Sequence, residues 1–145
     1  MSGTAKLPLH FWIVSGLSLV WNAFGAVDYV LTQFHNEAYL QQFTPEQRAH
    51  FDSFPAWMEA AWALGVWGAI AGSLLLLLRN KHAVTAFAVS LAGLAVSTVW
   101  QVAFSATKLS ELFTTANWIM FAVIWIGAAA LLYYAWRQGQ AGRIH

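Results

Sequence analysis

The chain has 145 residues, 59% of them hydrophobic and only 9% charged, where soluble domains carry about 25% charged residues. Seven basic and six acidic side chains cannot clothe a soluble fold of this size, whereas a chain surrounded by lipid needs no such cover. The absence of cysteine excludes disulfides, thiolate metal sites and a catalytic thiol. A net charge of +1 without any basic run gives no footing for nucleic acid, which is gripped through clustered Lys and Arg.

Four apolar stretches follow in chain order, at residues 9–34, 56–78, 83–104 and 115–136. Each exceeds the roughly 20 residues that carry a helix across a hydrocarbon core of about 30 Å. Helix is the expected form, because an open strand leaves its backbone polar groups unpaired in lipid. The fold expected is therefore all-α, a single transmembrane domain over residues 1–145 built as an integral membrane four-helix bundle. The first stretch is too long for a cleaved signal peptide and lacks a clear A-x-A site after it.

The outer loop at residues 35–55 contains Thr44-Pro45-Glu46-Gln47. This pattern offers a capping hydroxyl, a proline at the first helical position and a glutamine three residues after the cap. A short helix to about Ser53 is expected, with Phe51 and Phe54 laying it on the outer face as a lid or a structured connector.

Charge orients the bundle. Lys6, Arg79, Lys81, Arg137 and Arg143 fall on one side, while Arg48 and Lys108 share the other with all six acids, Asp28, Glu37, Glu46, Asp52, Glu59 and Glu111. Loops rich in Lys and Arg stay in the cytoplasm, so both termini are expected there. Aromatic belts agree: Phe11, Trp12, Tyr133, Tyr134 and Trp136 inside, Phe54, Trp57, Phe113 and Trp118 outside. Trp21, Trp67 and Trp125 remain near mid-membrane, as packing residues or as indoles around an apolar ligand.

Projection at about 100° per residue gathers polar groups into seams. On the first helix Ser15, Ser18, Asn22, Tyr29 and Gln33 share roughly a 60° arc, with Asp28 about a quarter turn away. On the third, Ser90, Ser97, Gln101 and Lys108 share roughly 40°, flanked by Gly93. Polar groups turned toward lipid are penalised, so the two seams are expected to face each other across a hydrated, outward-open pocket. Candidate ligand-binding residues are Asn22, Asp28, Tyr29, Gln33, Glu59, Gln101 and Lys108. Lys108 is a candidate partner for Asp28, and a purely structural hydrogen-bond cluster is the competing reading. On the second helix Gly65, Gly68 and Gly72 form a small-residue face for helix packing, within the bundle or between copies.

Catalytic machinery is sparse. No histidine lies mid-span, and His35 and His50 match no metal-ligand spacing. No phosphate loop, Gly-x-Ser-x-Gly elbow or His-Glu-x-x-His helix is found, so neither metal nor cofactor nor catalytic residue is assigned. Asp28, Glu59 and Lys108 supply acid and base groups without a nucleophile.

The pieces "WNAFGAVDY", "FTPEQ", "FPAW" and "AAWALGVWG", between His10 and Gln101, resemble a group of small bacterial inner-membrane proteins. Members of that group sometimes carry a provisional sugar-transporter label, and the four-span layout is also similar to DoxX-like membrane proteins. The resemblance implies that Trp21, Asn22, Gly25, Asp28, Tyr29, Pro55 and Trp57 are characteristic positions. The function expected is binding or assisted translocation of a small or amphipathic molecule in the inner membrane. The alternative is an accessory subunit or assembly factor of a larger membrane complex. Membrane lipids are the expected surroundings, with a homo-oligomer or larger complex as candidate assemblies.

Overall fold

The computed structural model describes residues 6–145. Four long helices carry the chain: α1 (Leu9–Gln33), α4 (Ala56–Leu77), α5 (Ala83–Val99) and α7 (Thr115–Gln140). Between them lie α2 (Glu37–Leu40), α3 (Pro45–Asp52) and α6 (Leu109–Leu112), and α5 continues into a π-helical turn, Trp100–Phe104. With that turn included, all four long segments are long and apolar enough to cross a membrane. This is the architecture of a multi-pass membrane bundle, and no strand occurs among the described residues. The last helix runs four residues past the expected Trp136, ending at Gln140.

Local chemistry sets the ends. Thr44 and Gln47 exchange side-chain-to-backbone bonds in a full capping box, and Pro45 opens α3 as expected. Thr114 and Asn117 make the same reciprocal cap on α7. Three long helices close by one device. A residue with positive φ follows the cap, and the next N–H reaches back to the carbonyl five residues earlier. His35 (φ 52°) precedes Asn36 N–H donating to Leu31, and Arg79 (φ 58°) precedes Asn80 N–H donating to Leu75. Gly142 does the same for α7, where the N–H of Arg143 meets Gln138 O.

Helix α4 is the centre of the bundle, packing along α1 on one side and α5 on the other, and α7 packs on α5. The glycine face meets α5. An added Cβ on Gly65 would sit 3.5 Å from Leu94 N, and one on Gly68 3.2 Å from Ala86 O. On Gly72 it would collide with the Phe87 ring at 2.7 Å. Gly93 of α5 is the tightest position, its Cβ falling 2.5 Å from Ala61 O and 2.7 Å from Gly65 N. A neighbouring face of α4, about 100° round the axis from Gly72, carries Ser73, which meets Ser18 and Asn22 of α1.

The two polar seams therefore do not look at each other. Asn22 donates to Ala69 O (3.2 Å) and Ser73 Oγ (2.9 Å), and Ser18 donates to Ser73 Oγ (3.0 Å). Ser90 donates to Gly65 O (2.6 Å) from the other side. The expected pairing across an interior shared by the first and third spans is corrected: α4 stands between the seams. The reason is steric, because the small residues of α4 let both neighbours approach closely enough to bond to it.

One end of the bundle is sealed by a cluster of Phe11, Leu76, Ala83, Phe87, Ala135 and Ile144. The C-terminal segment folds back onto the turn between α4 and α5, His145 N–H donating to Arg79 O and Lys81 N–H to His145 O. The termini of the described chain thus share the end that carries Arg79 and Lys81.

Candidate functional site: the loop-covered polar end

The opposite end is covered by α2 and α3. Asn36 caps α2 by accepting from Tyr39 N–H, and this single turn aims the Tyr39 phenol back at the first span, where it donates to Asp28 Oδ1. Burial first, then the bond to Asp28 and its charge, push the Tyr39 phenol well above its ordinary range, against a smaller opposing pull from Gln42. The phenol therefore stays a donor. Asp28 is half-buried and meets Tyr39, not Lys108. Among the described residues the one salt bridge joins Arg48 and Glu37, at 3.0 Å, within the covering loop.

Next to Asp28 the Tyr29 ring lies edge-on to Trp62 (4.8 Å) and Trp67 (6.0 Å). Phe54 continues the stack onto Trp62 at 5.9 Å and Trp100 at 5.3 Å. Edge-to-face rings of this spacing are favourable beyond their buried area, and they fasten α3 to the membrane helices.

His50 sits inside this stack and is only 5% exposed. Its Nε2 faces Gln101 Oε1 at 3.5 Å and its Nδ1 faces Ser105 Oγ at 3.3 Å. Burial lowers its pKa, with the Gln101 contact opposing. Gln101 belongs to the π-helical turn, in which Trp100 is buried, and Ser105 is the extended residue that ends it. Such turns recur at functional positions.

The expected site residues thus divide. Asp28 and Tyr29 lie beneath the cover, and Gln101 reaches His50. Asn22 is committed to the α1–α4 contact. Gln33 and Glu59 are half-buried, and Lys108 is exposed at the N-cap of α6. Lys108 leaves its projected arc because the helix ends at Ser105, whose backbone is extended (ψ 137°). A cleft of about 30 Å³ opens here between Thr32, His35, Leu40, Arg48, Phe51 and Asp52. That is room for about two waters, and none of the seven expected residues lines it. Among the described residues no trio of His, Asp or Glu is placed to hold a metal.

The sequence does not single out Tyr39 or Ser105, and it offers His50 only as a metal ligand that matches no spacing. His50 carried one usable signal: it lies on a short helix with a strong N-terminal cap, beside the apolar Phe51. No family model, curated protein or solved structure matches the chain.

Proposed function

We propose that this chain is a multi-pass protein of the bacterial inner membrane, both termini cytoplasmic, that binds or helps translocate a small or amphipathic molecule at its loop-covered end. The short helix α3 then lies on the outer face. Five cationic side chains at one end and all six acids at the other support this orientation. The resemblance to small inner-membrane proteins supports the compartment.

One observation carries the binding reading. Asp28 is a carboxylate within a membrane-spanning helix, and its partner is a phenol on the loop that covers it. Ionisable groups at such depth are expensive and mark functional positions. A partner on a covering loop, not on a neighbouring span, makes the bond one that opens when a ligand replaces the phenol.

Gentle purification from native membranes, followed by mass spectrometry of bound small molecules, tests this reading. A stoichiometric compound is expected with the wild type, absent from Asp28→Asn and reduced in Tyr39→Phe. An unchanged small-molecule profile in Asp28→Asn at normal yield defeats it.

The accessory-subunit reading has its own support in α7. Of its eighteen-residue apolar window 6% is buried, against 33% in the third span. A protein partner that co-purifies in fixed ratio, with no small molecule present, is the result favouring it.

A further inference from the structure

Helices α5 and α7 do not close on each other along their whole length. A groove of about 400 Å³ opens between them, lined by Val84 and Leu91 from α5 and by Ala129, Leu132, Tyr133 and Trp136 from α7. Its walls are almost entirely apolar, and its volume falls within the range of ligand pockets, roughly 300–1,000 Å³. The four α7 residues recur at helical spacing, so they form one continuous stripe. Seven residues separate Val84 from Leu91 and Ala129 from Trp136, which makes the trough about 10 Å long at 1.5 Å per residue. That suits the first part of an extended hydrocarbon chain.

The mouth at Val84 and Trp136 lies at the cationic end. Lys81 stands one turn before Val84, and Arg137 follows Trp136. Two other cations of this end are already occupied: Arg79 Nε donates to Arg143 O (3.0 Å), and Arg143 Nη1 donates to Gln138 Oε1 (2.9 Å). Among the described residues the Lys81 and Arg137 side chains have no hydrogen-bond or salt-bridge partner on the protein, and both residues are exposed. None of the six acidic side chains belongs to this end. Tyr133 and Trp136, apolar rings with polar edges, occupy the headgroup level where such side chains are favoured.

We propose that this groove seats an acyl chain of an anionic phospholipid, with its phosphate held between Lys81 and Arg137. The charge at the mouth selects the occupant. Two unpaired cations with no acidic side chain at this end favour a headgroup of net negative charge over a zwitterionic one, and basic pockets between membrane helices bind such headgroups. The site lies at the opposite end from Asp28 and stands whichever reading of that end holds.

The test is native mass spectrometry of the full chain in detergent, titrated separately with phosphatidylglycerol, phosphatidylcholine and inorganic phosphate. Wild type is expected to retain one phosphatidylglycerol at least tenfold more tightly than phosphatidylcholine, and not to bind inorganic phosphate. The double variant Lys81→Ala/Arg137→Ala changes only exposed side chains and is expected to lose about tenfold in phosphatidylglycerol affinity. Ala129→Trp, which fills the trough, is expected to lose both lipids alike. Should Ala129→Trp fail to fold, the charge variant decides alone. Equal retention of the two lipids, undiminished phosphatidylglycerol binding by the charge variant, or a dimer that excludes lipid from the groove overturns the proposal.

Discussion

The α4–α5 contact and the α5–α7 contact share one helix and differ in nearly everything else. The first is so close that the glycines of one helix touch the backbone of the other, and an added Cβ on Gly93 has no space at 2.5 Å from Ala61 O. The second leaves a trough of about 400 Å³. Hydrophobicity cannot explain the difference, because both helices are apolar and lipid is as apolar as leucine. Close approach follows from small residues on both faces together with a hydrogen bond such as Ser90 to Gly65 O. Where Leu132, Tyr133 and Trp136 stand instead, the backbones stay apart.

The sharpest way to break the tight contact is Gly93→Ala. The methyl meets backbone atoms that cannot rotate away, so thermal unfolding in detergent should show a loss of about 3 kcal/mol or more. Ala129→Leu at the gapped contact adds more atoms yet should change stability by less than about 0.5 kcal/mol. Equal losses in the two variants would show that the trough is closed in the detergent-solubilised protein.

A smaller effect is expected on the other face of α4. Ser73 is fully buried and accepts from both Ser18 and Asn22, so Ser73→Ala should cost about 1–2 kcal/mol. The same variant leaves Gly93 packing intact, and its loss should therefore add to that of Gly93→Ala within a few tenths.

Smaller still is the response to pH at the covered end. Burial places the folded pKa of His50 below its ordinary value of 6.5, so the unfolded chain binds more protons between the two values. Stability contributed by neutral His50 is complete above about pH 6.5 and is lost as pH falls from there through the folded pKa. Unfolding midpoints should decline over that window in wild type and decline less in His50→Gln. At the bottom of the scale, His35→Gly relieves a positive φ at the end of α1 and should stabilise by up to about 1 kcal/mol.

Much of this was legible in the chain itself. Span existence, the Thr44 capping box and the short helix after it follow from local pattern, since a helix across lipid satisfies its own backbone and needs no partner to be specified. The candidate site was legible only in pieces. Helical projection gathers the polar groups into arcs, but an arc gives a direction around one axis and says nothing about which neighbour stands there. It also carried Lys108 into a seam that the chain leaves at Ser105. Tyr39 escaped notice, and His50 was weighed only as a metal ligand, because each gains its role from a loop folding onto helices distant in sequence.

The order of apolar and charged residues along the chain therefore determined four helical spans with one cationic and one acidic end, because hydrocarbon penalises each exposed charge and each unpaired amide residue by residue. Tertiary structure alone decided that α4 separates the seams, that Tyr39 covers Asp28 and that α5 and α7 part into a groove. Those outcomes depend on how closely two particular surfaces fit, and fit is a property of pairs of helices, which no single segment encodes.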